Sequence, residues 1–377
     1  MKYSRRIKEF QYIEHYRAQV NQSYAKLPNK VELTKEQVQE IQDFYRPLLG
    51  YEVPTDWHRY FYSRTGVFSK YFVPTGVYRL EVIGRLNNVR FSVPYSDKNM
   101  QDILLPEVNQ PHIYLKNRNG YFFVDDKPVE LEEAVRACAD LGEVIIKPAL
   151  TSHGDGVQKI TIANARVEES GDSLEELFVK YRRNYLIQDV VRQHAGMAAL
   201  NGSSVNTIRA VTYRSAAGVE VLYTVARIGR EGKVIDNESA GGLSVRIEGN
   251  GTLARYAYGA PGQDKIEKTD SGIVMEGYQV PSYDKAMEMV REQHKLLPFH
   301  NVIGWDICIG KDGEPVLLEW NTAPELSQSA YGPAFGSNVE RILNDAMRRQ
   351  NTRNLKPISF NGAMNFFARK IVKGSLY

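Results

Sequence analysis

The chain opens on a polar, helix-patterned stretch in which Ile7, Phe10 and Ile13 give one face a modest apolar character among Lys, Arg, Glu and Gln. In Leu33-Thr34-Lys35-Glu36-Gln37, Thr34 reads as an N-cap with Gln37 at the third helical position. That capping box starts a second helix, expected to end near Pro47. Residues 50–95 are aromatic and broken by Gly and Pro, with Tyr51, Trp57, Tyr60, Phe61, Phe68 and Tyr71 among the rings. This segment reads as a packed cap; rings left exposed would instead offer stacking faces to carbohydrate. From about residue 96 the pattern turns to strands. Residues 143–147 (E-V-I-I-K) and 185–191 (Y-L-I-Q-D-V-V) read as short strands. Residues 207–214 and 219–229 form a hairpin around Ala216-Ala217-Gly218, and 302–309 and 315–321 form another around Gly310-Lys311-Asp312-Gly313. Between the hairpins, Ala286, Met289, Val290, Leu296 and Leu297 fall at helical spacing. There is no internal repeat or low-complexity tract, and the fold class is α+β.

Composition narrows the function classes. The chain has 377 residues, 42% hydrophobic and 25% charged, a globular mix long enough for two to three domains or lobes. Lys and Arg number 48 against 45 Asp and Glu, giving +3, so bulk charge does not call for a nucleic-acid partner. Two cysteines, Cys138 and Cys308, exclude a disulfide framework and a cysteine-rich zinc site. The Arg5-Arg6 pair is followed by polar residues rather than the apolar stretch of an export signal, and no run approaches the roughly 18 apolar residues of a membrane span. A cytoplasmic protein is the expectation.

The richest chemistry lies in G-W-D-I at 304–307 and L-E-W-N at 318–321. Strand alternation puts Glu319 and Asn321 on one face. If Gly310 faces Pro315, counting back places Asp306 opposite Glu319; a slip of one residue would break that pairing. An Asp, a Glu and an Asn on one ribbon, without His or Cys, suit Mg²⁺, which completes its shell with water and phosphate. The same residues could be ordinary polar positions at a sheet surface, but they sit among apolar neighbours, where an unpaired carboxylate is costly. Lys147-Pro148 precedes T-S-H-G-D-G-V at 151–157, a loop whose glycines can let backbone N–H groups close over a phosphate. The Lys precedes the loop, so it is not a P-loop. Arg209 and Arg227, read singly, are surface strand arginines; beside metal carboxylates they could neutralise a phosphoryl group.

In order, D-K (97–98), V-I-I-K-P, the glycine loop, the strand at 185–191, N-T-I-R, a second Arg, D-N-x-x-x-G-G, G-W-D-I and L-E-W-N resemble the ATP-grasp superfamily. The likeness is to its sugar-transfer-associated members and the glutamate-ligase branch, and it covers roughly residues 96–340. It implies an ATP-grasp fold, two α+β lobes holding ATP between them. The corresponding division is a helical and aromatic lead-in at 1–95, an N-lobe at 96–190, a C-lobe at 191–345 and a tail at 346–377. By resemblance, Lys98 and Lys147 contact nucleotide phosphates, and Thr151, Ser152, His153, Gly154, Gly156 and Val157 belong to the loop over them. Gln188, Asp189 and Val191 belong to the adenine hinge, with Gln193 standing in for the acidic ribose ligand. Asp306, Glu319 and Asn321 hold two Mg²⁺ ions, with Mn²⁺ as an alternative. Arg209, Arg227 and Asn237 face the reacting groups.

Two departures from relatives stand out: Gln188 replaces the common hinge Glu, and Asp155 sits in the glycine loop. The implied activity is ATP-dependent carboxylate–amine ligation through an acyl phosphate, with small-molecule carboxylate and amine substrates. Family kinship points to surface-glycan building, for example joining an amino acid to a sugar acid. The alternatives are a peptide- or protein-modifying ligase, a kinase, and a non-catalytic glycan or nucleotide binder.

Overall fold

The computed structural model describes residues 2–151, 155–232 and 241–349. The expected N-terminal helices form over Lys2–Ala25 and Lys35–Leu49, and Thr34 and Gln37 make both bonds of the capping box. The second helix runs past Pro47 to Leu49, because its end is set by Gly50, whose left-handed φ of 77° lets its N–H bond Arg46 O.

Among the described residues the longer strands build two antiparallel sheets. The first contains β1 (Ile113–Arg118), β2 (Tyr121–Val124), β3 (Lys127–Val129), β4 (Gly142–Pro148), β5 (Gln158–Ala163), β6 (Arg166–Val167) and β7 (Tyr185–Asp189), in the order 3-2-1-7-4-5-6. The second contains β8 (Thr207–Ser215), β9 (Gly218–Ile228), β10 (Leu243–Ile247), β11 (Leu253–Tyr258), β12 (Val302–Ile309) and β13 (Pro315–Asn321), in the order 11-10-9-8-12-13. Strands first appear at Ile113 rather than near 96, because residues 92–104 form short helical turns.

Alternation sorts each strand onto two faces. In the first sheet Leu115, Val144, Ile146, Tyr185 and Ile187 pack against Ala134, Cys138, Leu177 and Phe178 of two covering helices. Lys147 and Gln188 therefore point to the opposite face. In the second sheet Ile208, Ala226, Ile303, Trp305 and Ile307 pack against Ala286, Met287 and Val290 of the helix Tyr283–Lys295. The other face carries Val211, Tyr213, Tyr223 and Val225, covered by Ile41, Tyr45, Val82 and Ile83 of the N-terminal region and by Ile342 and Leu343 of the last helix. Residues 41–86 thus share a core with the second sheet. Arg209, Arg227, Gly304 and Asp306 occupy further positions on that covered face.

The aromatic segment 50–95 is largely packed: Trp57, Tyr60, Phe61 and Phe72 join Val20, Tyr24 and Leu27 in one buried cluster. Its continuation Tyr78–Ile83 is π-helical, with Gly84 N–H bonding Arg79 O five residues back. Close approach matters most at Gly304. A Cβ there would lie 2.5 Å from Pro324 Cβ, so only glycine lets the segment after β13 fold back across β12. Gly304→Ala is expected to destabilise the chain by about 1–3 kcal/mol through overpacking. The denaturant midpoint checks this, and an unchanged midpoint would show that the 322–325 segment is not held against β12.

Candidate active site

The hairpin β12–β13 carries Asp306 directly opposite Glu319, as the sequence count gave, but by a different route. Pro315 pairs with Ile309, not Gly310, and a register shift between Ile307 and Asp306 restores the expected pairing. A bulge leaves one extra residue on a strand, so the one-residue error at the turn cancels before Glu319. Asn321 follows on the same strand, and its Nδ2 lies 3.4 Å from Asp306 Oδ2.

Asp306 is also the register partner of Arg209 on β8. The guanidinium holds the carboxylate with two bonds, Nε to Oδ1 at 2.5 Å and Nη2 to Oδ2 at 2.6 Å, and both side chains are buried. Arg227 on β9 approaches the same Oδ1 at 3.5 Å. Burial alone would raise the Asp306 carboxyl, but the two arginines outweigh it and hold the group down to about 2. Glu319 is the less buried acid, with its side chain 32% exposed, and it sits across the ladder from Asp306.

The first sheet supplies the opposing charge. Lys98 N–H bonds Ala149 O just past β4, and its Nζ bonds Thr151 O at 2.7 Å while lying 3.4 Å from Glu319 Oε2. Lys147, at the end of β4, is buried beside it. Burial and the neighbouring Lys98 charge push the Lys147 ammonium down to about 7, with Glu319 offsetting part of the effect. Lys147 of the first sheet and Lys98 of the helical turn packed on its end thus meet two carboxylates and two arginines of the second.

Around this centre, Ser96 and Thr322 hydroxyls lie 3.2 Å apart, closing the lead-in onto the residue after Asn321. In the loop, Thr151 Oγ1 donates to Asp155 O and Tyr181 OH donates to Gly156 O. Gly156 has φ 78°, and a Cβ there would lie 2.8 Å from Pro148 Cγ, so this return of the loop requires glycine. Val157 follows directly, ahead of β5. Ser152, His153, Gly154 and Asn237 lie outside the described residues.

Gln188 is buried on the face it shares with Lys147, and Asp189 Oδ1 accepts a bond from Tyr114 OH at 2.5 Å. The strand ends at Asp189, so Val191 lies just beyond it. Gln193 is engaged at both ends of its amide, donating to Ser204 O at 2.7 Å and accepting from Asn206 N at 3.1 Å. It braces the turn at 201–206. Cys308 is fully buried on the Asp306 face, consistent with a small packing thiol.

Among the described residues no group of three or more His, Cys, Asp or Glu is arranged for a metal. An ion here would rest on Asp306, Glu319, Asn321 and ligand oxygens. That donor set fits Mg²⁺, which takes one or two carboxylates and draws the rest of its shell from phosphate and water. Two adjacent carboxyl groups are also a natural seat for a cation.

The Asp306 pair makes a stability prediction. Asp306→Asn leaves the buried Arg209 charge uncompensated and is expected to cost about 3–5 kcal/mol. Glu319→Gln at the less buried position should cost under about 1 kcal/mol. Urea unfolding of both variants checks the contrast, and equal losses would contradict it. Lys147 makes a second prediction. If Lys147 holds a phosphate of ATP, as the resemblance implies, an ammonium titrating near 7 must be charged to do so, and Mg·ATP affinity should be flat below pH 7. It should weaken above, by up to about tenfold per unit, with uptake of up to about one proton. Calorimetry in buffers of different ionisation enthalpy reads that uptake, which Lys147→Met should abolish.

No protein of curated function matches the sequence. Among solved structures, the ATP-grasp ligase PsnB complexed with minimal precursor is similar at 16% identity and a TM-score of 0.40, covering 70% of this chain and 63% of that one. The D-alanine–D-alanine ligase from Bacillus anthracis complexed with ATP is similar at 12% identity and a TM-score of 0.39, covering 69% and 67%. The L-amino acid ligase from Bacillus licheniformis is similar at 12% identity and a TM-score of 0.36, covering 67% and 49%. The chain therefore spans just under two-thirds of the length of the first of these. The family model described as sugar-transfer associated ATP-grasp matches residues 78–343, the stretch that carries both sheets and every charged side chain of this site, and the chain belongs to that family.

Proposed function

We propose that the protein is an ATP-dependent carboxylate–amine ligase. The observation that carries this reading is the meeting of Lys98 and Lys147 with Asp306, Glu319 and Asn321, joined by the 3.4 Å contact between Lys98 and Glu319. A polyanion bridged to cations on both sides is what such a cleft would hold. The roles follow the lobe division at 96–190 and 191–345, with 1–95 as lead-in.

In this reading Lys98 and Lys147 hold the phosphates of ATP, and residues 151–157 close over them. Adenine lies toward the hinge, where Gln188 shares the Lys147 face and the backbone of residues 189–191 is the exit from the strand. Asp306, Glu319 and Asn321 would hold Mg²⁺, two ions by family expectation, which when bound supplies charge neutralisation to the phosphates. Arg227, 3.5 Å from Asp306 Oδ1, faces the transferring group, and the family likeness assigns Asn237 to the same reaction. The γ-phosphoryl passes to a substrate carboxylate oxygen and ADP leaves. The amine then attacks the acyl carbon and phosphate departs, leaving an amide. Positioning and charge stabilisation account for most of the acceleration in phosphoryl transfer, so no covalent enzyme nucleophile is needed.

The family's sugar-transfer association supports a role in glycan building, with a sugar acid and an amino acid as the pair to be joined. The setting that suits this is cytoplasmic, where ATP is available.

The test is incubation with ATP, Mg²⁺ and pooled sugar acids and amino acids, reading ADP, AMP and product mass together. ADP with a product one water lighter than its two parents is expected. A phosphate adduct would indicate a kinase, and AMP would overturn the scheme. Glu319→Ala should lower turnover by about two orders of magnitude with the unfolding transition retained; a folded variant with full turnover would remove Glu319 from the reaction.

A further inference from the structure

Arg79 lies in the π-helical segment Tyr78–Ile83, outside the strands and loops that carry the charged cluster. Short π-helical turns recur at functional sites. Its guanidinium is buried, with the side chain 8% exposed. Nη1 donates to Ala323 O at 2.5 Å, two residues beyond Asn321, which fixes the group beside the end of β13. The opposite edge is covered by protein but makes no hydrogen bond through Nε. Nε has no hydrogen-bond partner among the described residues, and the nearest carboxylate to Nη2 is Glu325 at 3.8 Å, on a side chain 75% exposed.

Arg209 shows what that edge is suited to: its Nε and Nη2 hold the two oxygens of Asp306 side-on. A buried guanidinium ordinarily has a close carboxylate or phosphate partner, because leaving such a charge unmatched is costly. Glu325, mostly in solvent, can swing away at little cost. The surroundings of that edge are phenolic. Tyr78 OH is buried and without a partner, and the Tyr78 ring lies 5.7 Å from the Arg79 guanidinium. The helix that carries Tyr12 and Tyr16 packs on Gly76, three residues before Arg79, with Tyr12 OH donating to Tyr16 OH at 3.3 Å.

We propose that Arg79 anchors a carboxylate of the substrate, which displaces the atoms now covering Nε and is gripped side-on by Nε and Nη2, with the Tyr78 phenol beside it. This rests on the ligase reading and deepens it by assigning the N-terminal region a part in substrate choice. A planar two-oxygen anion matches the fork; a neutral sugar does not. The carboxylate could belong to a sugar acid or to an amino acid.

The full chain is titrated calorimetrically with glucuronate, L-glutamate, glucose and, separately, Mg·ATP. Saturable binding of glucuronate without glucose supports the anchor and names a sugar acid; binding of L-glutamate instead supports it and names an amino acid. Arg79→Met should weaken the carboxylate by about 10- to 100-fold while retaining a cooperative unfolding transition. Arg79→Lys, which keeps the charge and loses the fork, should weaken it by a comparable factor. Full affinity in either variant overturns the anchor, as does failure of both carboxylates to bind a chain that binds Mg·ATP. Carboxylate binding in a chain that does not bind Mg·ATP would keep the anchor and sink the ligase reading.

Discussion

The buried, two-bonded contact between Arg209 and Asp306 constrains the rest of the site. It joins adjacent strands at a register position, so it can form only if β8 and β12 pair as they do. Neither side chain could be buried alone without a large desolvation cost, and together they fix the plane of the Asp306 carboxylate. Once that plane is set, cross-strand pairing brings Glu319 alongside and Asn321 one step further along β13.

Charge is divided between the two sheets in a way that makes the cleft incomplete without an anion. The first sheet contributes Lys147 and the helical turn ahead of it Lys98; burial and then the Lys98 charge weaken the ammonium of Lys147. The second contributes the acids, already partly neutralised by Arg209 and Arg227. Glu319 is the acid that reaches across, and its greater exposure leaves it freer than Asp306 to exchange a lysine for another cation. A phosphate chain with its counter-ions satisfies both sets at once, which is the physical basis for reading the cleft as a nucleotide site.

Much of this was legible along the chain. Both hairpins follow from alternation broken by Gly-containing turns, and the capping box at Thr34 and Gln37 forms as its spacing requires. The Asp306–Glu319 pairing was reached by counting from a turn pair that does not form, and a bulge compensated; residue spacing does not reveal where a strand will accommodate an extra residue. The engagement of Gln193 with Ser204 and Asn206 was invisible, because a polar side chain near a hinge looks the same whether it faces a ligand or braces a turn. Arg79 carried a signal: Y-R-L-E-V-I-G-R-L places three charged residues in an otherwise apolar run, a pattern that calls for buried partners. Glu81 and Arg85 find each other, whereas Arg79 finds a backbone carbonyl and leaves Nε unsatisfied.

The sequence by itself determined the local elements, the order of the motifs and the types of donor available, because periodicity, capping and turn chemistry act over a few residues. Tertiary structure decided which distant side chains share a space. Lys98 and Glu319 are separated by most of the chain, yet they lie 3.4 Å apart because the free face of the first sheet and the charged end of the second sheet's N-terminally covered face meet. It also decided that the N-terminal helices would share a core with the second sheet, since that face could be buried only by helices from outside the hairpins. Local pattern specifies that a face must be covered; only packing specifies by what.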